Sequence, residues 1–281
     1  MTRKSMHRPT VLGALAGLGL TLTLLPAAPA HAQTFVPCNN ITALRNAITA
    51  SNASDENITL APFCTYTIST TVSAGNGLPQ VTGSYSINGY NTTVRRSAAA
   101  GTPNFRVFEV EAGGDLTLNS IHVRGGNVPG DSGGGIRVSG TGSTLTVQSG
   151  SVRDNSAGTG GGIRTRNGGA ATLSYTLVSG NTATGSGGGG GISHAGSTLW
   201  LNITRVQGNT AAQEGGGLRT SGTSTATLVQ STVTGNTANG LLEGGGIFEG
   251  TSSQVSLIGT SVTGNIPNNC RPVGAVPGCV N

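Results

Sequence analysis

The sequence predicts an all-β fold, a right-handed parallel β-helix in which a single chain winds into a solenoid of short strands. Two alternating motifs indicate this fold. A valine recurs at a nearly constant spacing, at Val123, Val152, Val178, Val206, Val233 and Val262. A Gly-Gly-Ile or Gly-Gly-Leu motif recurs between the valines and ends at Ile136, Ile163, Ile192, Leu218 and Ile247. A fixed period of this length is typical of one stacked structural unit, and parallel crossovers are right-handed.

The repeat at residues 160–184 shows why each unit is expected to form one coil. Residues 160–162 are three glycines, which can turn the chain with positive φ at no steric cost. Short segments at 163–165, 171–173 and 177–178 predict three strands separated by corners. With the apolar residues pointing inward, successive coils would stack about 4.8 Å apart.

Asparagines at one register predict a hydrogen-bonded ladder along a corner. Each lies three residues after a valine, at Asn155, Asn181, Asn209, Asn236 and Asn265. Stacked amides can bond from coil to coil and to freed backbone groups. The alternative is that the five amides bind a ligand.

The segment 1–32 is expected to be a secretory signal peptide. Basic residues at 3, 4 and 8 precede an apolar run at 11–25, and Ala30-His31-Ala32 matches an A-x-A cleavage site. A retained N-terminal anchor is the alternative. Cleavage would leave residues 33–281 as one secreted β-helix domain.

A short helix is predicted to cap the N-terminal end of this domain, within residues 38–56. Residues 38–52 place apolar side chains on one helical face, and Asn39 or Asn40 can cap the helix start. Such a cap would cover the exposed first edge of the sheets. A loop at residues 266–281 is predicted to cover the other end.

The cysteines of an exported chain predict disulfides. The four are Cys38, Cys64, Cys270 and Cys279. Their spacing favours Cys38–Cys64 and Cys270–Cys279, because the two ends of a solenoid lie far apart. No cysteine or histidine spacing suggests zinc.

The charge of the chain does not predict nucleic-acid binding. Without residues 1–32 the chain holds 12 arginines, no lysine and 10 acidic residues, a net charge of about +2. A nucleic-acid-binding surface would need clustered charge. A later membrane span is not predicted, and a monomer is expected.

The residue after each Gly-Gly-Ile motif should point outward. That row reads Arg137, Arg164, Ser193, Arg219 and Phe248, with Arg166 on the same side. Stacked arginines repel unless an anion lies between them, and arginine suits carboxylate and sulfate recognition. The row predicts a face that binds an anionic glycan; the alternative is a solvated face balanced by nearby acids.

Glu214 and Glu243 occupy equivalent places in neighbouring coils. As a close pair they could hold Ca²⁺ or serve glycoside hydrolysis, or each could simply pair with an arginine. His194 follows the row residue Ser193 and is a candidate catalytic group, although no partner for it recurs in a triad-like spacing.

A second outward row reads Thr117, Thr146, Thr172, Trp200, Thr227 and Ser256. A flat threonine row could bind ice or a crystalline surface, but Trp200 interrupts it. Trp200 could instead stack on a sugar ring. Ordinary β-propensity on a solvent face is the simpler explanation of the threonines.

The alternation of Gly-Gly-Gly-Ile with Val-x-Gly-Asn resembles the repeats of polymorphic outer membrane proteins, which use Gly-Gly-Ala-Ile and Phe-x-x-Asn. The N-terminal segment from Cys38 through residues 43–48 and 58–60 to Cys64 and residues 65–68 resembles exported actinobacterial β-helix proteins. The resemblance implies the fold and export, and relatives with a C-terminal translocator barrel act as adhesins. Only the short segment 263–281 follows Val262, so that barrel is not expected here.

These observations favour an exported binding protein for an extracellular polysaccharide or cell-envelope surface. The alternative is a lyase or glycosidase acting on a uronate polymer, in which Arg164 or Arg219 would abstract a proton and an arginine or Ca²⁺ would stabilise the enolate. A structural or ice-associated role is a further alternative. The repeats are nearly equal in length, so long loops around a cleft are not expected, and this favours a binding protein.

Overall fold

The computed structural model describes residues 33–111, 113–240 and 244–281 and confirms the right-handed parallel β-helix, with about 8 turns. One helix, α1 (Ile41–Ser54), lies near the N-terminal end of the described residues. The predicted signal peptide lies outside the described residues.

The strands follow in chain order. The first are β1 (Gln33–Val36), β2 (Asn57–Leu60), β3 (Thr65–Ile68), β4 (Ser84–Arg96), β5 (Phe108–Val110), β6 (Asp115–Arg124), β7 (Asn127–Ser132), β8 (Ile136–Ser139) and β9 (Thr144–Gln148). The next are β10 (Ser151–Arg153), β11 (Ser156–Thr159), β12 (Ile163–Arg166), β13 (Ala170–Ser174), β14 (Leu177–Ser179), β15 (Thr182–Ala183), β16 (Ile192–Ala195), β17 (Thr198–Asn202) and β18 (Arg205–Gln207). The last are β19 (Thr210–Ala211), β20 (Leu218–Thr220), β21 (Thr225–Val229), β22 (Thr232–Thr234), β23 (Thr237–Ala238), β24 (Ile247–Glu249), β25 (Gln254–Ile258), β26 (Ser261–Thr263) and β27 (Cys270–Arg271).

Three parallel sheets run along the solenoid, with 15, 5 and 7 strands. One coil, β12 to β15, visits the 7-stranded sheet, then the 15-stranded sheet twice, then the 5-stranded sheet. The prediction of three strands per coil was therefore one strand short. The missed strand, β15, has only two residues, too few to show a period of two.

Apolar side chains fill the interior in stacked rows. Val123, Val152, Val178, Val206 and Val233 are fully buried and pair in register from coil to coil. Ile163 and its equivalents form a second buried row on the 7-stranded sheet. The outward rows are consequently aligned as well, because side chains alternate along each strand.

The asparagine ladder is confirmed. The Nδ2 of each of Asn155, Asn181, Asn209 and Asn236 donates to the Oδ1 of the next ladder residue at 2.9–3.0 Å. Each of these Nδ2 groups also donates to a valine carbonyl of the preceding coil. The ladder ends at Asn269, whose Oδ1 accepts from Asn265.

The predicted N-terminal helix is present as α1. Asn40 begins α1 by accepting from the Ala43 amide through its side chain at 2.9 Å. The disulfides are Cys38–Cys64 and Cys270–Cys279, as predicted. The C-terminal loop adds β27 to the 7-stranded sheet beside β24.

Within the described part of the chain, no helix has the length and apolar character of a membrane span.

Candidate anion-binding groove

The predicted arginine row lies on the outer face of the 7-stranded sheet. Arg164 pairs in register with Arg137 on one side and Ser193 on the other, and Ser193 is followed by Arg219. Two residues that the sequence analysis missed extend the row, since Glu109 precedes Arg137 and Arg271 follows Phe248. The row therefore begins with an acid.

Arg164 and Arg166 line a cavity of about 400 Å³ that opens to solvent. Its other lining residues are Pro129, Gly130, Asp131, Ser132, Gly158, Thr159, Gly185 and Ser186. These belong to β7, β11 and the segment after β15, in three successive coils. Short corner segments thus form the wall of a groove beside the arginine row, without long loops.

Arg164 has no carboxylate partner among the described residues. Its Nη1 donates to the hydroxyl of Ser193. Burial, together with the positive charges of Arg219 and Arg166, lowers the pKa of Arg164 to about 10. The neighbouring Arg166 contacts the Ser139 hydroxyl through Nε at 3.3 Å. The groove therefore holds two adjacent guanidinium groups whose hydrogen-bond partners in these contacts are neutral.

Arg137, by contrast, is neutralised. Its Nη1 lies 3.0 Å from Asp131 Oδ2, and its Nη2 contacts Glu109 and lies 3.4 Å from Glu111 Oε1. Arg106 is 1% exposed and also contacts Glu109 and Asp131. We assign Arg137 a role in holding this ion cluster together.

The environment separates the pKa values of the three acids in the cluster. Burial would raise the pKa of Glu109, but Arg106, Arg137 and hydrogen bonds from Gln80 and Asn76 lower it. The pKa of Asp131 is lowered as well, because Arg106 outweighs its burial. The pKa of Glu111 is raised by burial and by the adjacent Glu109.

The sequence contained one signal for this cluster. Glu109 precedes Arg137 by one repeat length, so the two are neighbours in adjacent coils. Arg106 and Asp131 reach the cluster from outside that register, and no repeat spacing predicts their contact.

Further along the row, Arg219 is paired with an acid and with an aromatic ring. Its Nε lies 3.5 Å from Glu214 Oε2, and its guanidinium lies 5.8 Å from the Phe248 ring centroid. Glu243, the predicted partner of Glu214, lies outside the described residues. Over the described ranges, no three histidine, cysteine or acidic side chains are grouped as a metal site requires. A Ca²⁺ site at Glu214 and Glu243 stays a prediction.

The structure does not bring His194 and Trp200 to the groove. His194 lies on the inward side of β16 and is fully buried; its Nδ1 contacts the Thr165 hydroxyl and its Nε2 lies 3.1 Å from the Thr225 carbonyl oxygen. This placement argues against a catalytic role. The inward direction of His194 follows from the alternation along β16, which points Ser193 outward.

Trp200 is 45% exposed and lies between Thr172 and Thr227 on the 15-stranded sheet. The threonine row is therefore confirmed as a row, and Trp200 belongs to it and not to the arginine groove.

Comparison of the chain with protein-family models, with curated proteins and with solved structures found no match. The resemblance to polymorphic outer membrane protein repeats stays a prediction.

Proposed function

We propose that this protein is secreted and binds an anionic extracellular polysaccharide in the groove along its 7-stranded sheet. The observation that carries the proposal is Arg164, a half-buried guanidinium without a carboxylate partner among the described residues, beside Arg166 in an open cavity of about 400 Å³. A buried cation without a counter-charge is costly, and a bound anion would offset that cost.

The lowered pKa of Arg164 gives the size of this effect. Relative to an ordinary guanidinium, a pKa of about 10 corresponds to a penalty of about 3 kcal/mol on the charged form. A carboxylate or sulfate at Nη2 would restore part of that energy through a charge-assisted hydrogen bond. Arginine is suited to these planar anions because its donors form a rigid fork.

The shape of the site favours a polymer. Side chains of the row repeat once per coil, at about 4.8 Å, so an extended chain lying along the solenoid would meet equivalent positions in succession. The row continues from Arg164 through Ser193 and Arg219 to Phe248. Arg219, which is paired with Glu214, and Phe248 supply a further cation and an apolar ring on which a sugar could pack.

Secretion is supported by the two disulfides, which persist in oxidising compartments. The signal-peptide pattern of residues 1–32 supports the same location.

Binding is favoured over the lyase alternative by the same pKa. At pH 7, a group with a pKa of about 10 is deprotonated in only about one molecule in a thousand, so Arg164 is a poor general base but a permanent cation. A hydrolase is favoured by one observation, the raised pKa of Glu111 and the lowered pKa of Asp131 around the shared Arg137, because two carboxyls with separated pKa values can serve as acid and base. Arg137 contacts both carboxyls, which holds them in the ion cluster.

Retention on immobilised polygalacturonate and on heparin tests the proposal. We expect the double variant R164Q/R166Q to elute at a lower salt concentration than the wild type, while its far-ultraviolet circular dichroism is unchanged. Arg205 is the matched control because it is exposed, bonds only to Gln207 among the described residues and lies on another sheet. Equal retention of wild type, R164Q/R166Q and R205Q would refute the groove as the binding site.

Incubation of the protein with the same two polymers in solution distinguishes binding from catalysis. Unsaturated products detected by absorbance would indicate a lyase, and new reducing ends without that absorbance would indicate a hydrolase. Each measurement is made with and without a chelator, so that a metal requirement appears. Either product would overturn a function limited to binding.

A further inference from the structure

A second row of arginines lies on a different sheet from the groove. Arg95, Arg124 and Arg153 are paired in direct register on β4, β6 and β10 of the 15-stranded sheet. We call these three residues the basic strip. Each follows an inward valine, so its side chain points outward by the alternation of the strand.

The strip carries more positive charge than its neighbours neutralise. Among the described residues its one ion pair joins Arg124 Nε to Asp154 Oδ2 at 2.8 Å. Arg95 Nε contacts only a hydroxyl, that of Thr67 at 3.3 Å. The Nε of Arg153 is buried and has no hydrogen-bond partner in the described part of the chain. Three cations therefore share one carboxylate.

His122 lies on the same outward face as Arg124, beside the strip. Burial and the charge of Arg153 lower the pKa of this histidine. Its ring nitrogens contact Ser151 and Asn91, both at 2.9 Å, so the ring is held beside the strip. The charge of Arg153 thus acts on a neighbouring titratable group.

The strip and the groove lie on separate faces. Along the chain, β11 of the 5-stranded sheet and a glycine corner lie between Arg153 on β10 and Arg164 on β12. After β12, the chain passes through β13 of the 15-stranded sheet before it reaches β14, and β14 is the strand that pairs with β10 in the next coil. One straight polymer lying along the solenoid axis would therefore not occupy both.

We propose that the basic strip is a second anion-binding site, so that one molecule bridges two chains of the same acidic polysaccharide. The inference builds on the proposed function of the groove. The strip repeats once per coil, about 4.8 Å, which is comparable to the length of one extended sugar unit, so acid groups on successive units can each meet an arginine. Two sites on different faces convert a binding protein into a cross-linker.

A sandwich assay tests the bridge. Biotinylated polygalacturonate is fixed to a surface, the protein produced from the full chain is bound, and fluorescent polygalacturonate is then added; heparin replaces it in a parallel arm. We expect the wild type to capture the labelled polymer. The variant R95Q/R124Q/R153Q should still bind the surface through the groove but should capture only background label.

A milder pair of variants keeps the test independent of any folding defect. D154N removes the single carboxylate of the strip at a position whose φ of 54° an asparagine accepts well. E56Q makes the same charge change near the end of α1, where the Glu56 side chain makes no hydrogen bond or ion pair with the described residues. We expect D154N to capture more label than the wild type, and E56Q to capture the same amount.

The outcomes separate the two proposals. Absence of wild-type binding to both polymers on the surface would overturn the proposed function and the bridge with it. Surface binding without capture would overturn the bridge alone and leave the groove as the one binding site. Capture undiminished in R95Q/R124Q/R153Q would show that the basic strip is not the second site.

Discussion

Asn209 is the central member of the asparagine ladder, and its replacement by alanine should strongly destabilise the protein. Its Nδ2 donates to Asn236 Oδ1 at 2.9 Å and to the Val178 carbonyl at 3.0 Å. Its Oδ1 accepts from the backbone amide of Asn181 at 3.0 Å and from Asn181 Nδ2 at 2.9 Å. Asn209 is fully buried, so water does not reach these groups in the folded protein.

The expected loss follows from these four hydrogen bonds. At about 1 kcal/mol for each bond, Asn209→Ala costs about 4 kcal/mol of the free energy of unfolding. The buried backbone amide of Asn181 is also left without an acceptor, which brings the cost to about 6 kcal/mol. For a domain of this size, a loss of about 6 kcal/mol lowers the melting temperature by about 12–24 °C.

Urea and thermal denaturation, followed by far-ultraviolet circular dichroism, measure this loss. Amide hydrogen exchange should also show that the Asn181 amide loses protection first. The matched control is Asn239→Ala, the same chemical change at an exposed residue of the neighbouring turn outside the ladder. A loss below about 1 kcal/mol for Asn209→Ala, or an equal loss for both variants, would refute the view that the ladder stabilises the coils.

Two further predictions concern buried positions. His194 has a pKa lowered to about 4, while in the unfolded chain it takes up a proton below about 6.5. The free energy of unfolding should therefore decrease as the pH falls from 6.5 to 4, and His194 should account for up to about 3 kcal/mol of that decrease. Urea titrations at several pH values should show a smaller decrease for the His194→Gln variant than for the wild type. Identical pH profiles for the two proteins would contradict this. Gly217→Ala should lower the free energy of unfolding by about 1–3 kcal/mol, because the added Cβ would lie 2.7 Å from the Gly246 carbonyl oxygen. The control is Gly130→Ala, whose added Cβ meets no atom within 4 Å and should leave the melting temperature unchanged.

The candidate site was predictable from the sequence only in part. The arginine row could be predicted because its members share one phase of the repeat. The contribution of Arg106 and Asp131 could not, since neither residue lies at the phase of the repeat that Glu109 and Arg137 share. Asp131 reaches Arg137 across the corner between β7 and β8, and Arg106, which precedes β5, reaches Asp131 from the preceding coil. Repeat spacing carries no information on how far these side chains extend. His194 was a different case, because strict alternation from Ser193 already predicts an inward side chain.

The sequence by itself determined the solenoid, the register of its coils, the asparagine ladder and the two disulfides. In a stacked repeat, neighbours in space are separated by one period in sequence, so the spacing of residues such as Asn181 and Asn209 predicts their contact. Only the tertiary structure decided which outward residues share a face and which cations are neutralised. Those relations depend on how the corners turn between sheets and how far long side chains extend. They place Trp200 away from the arginines, join Arg137 to three acids and leave Arg164 without one among the described residues.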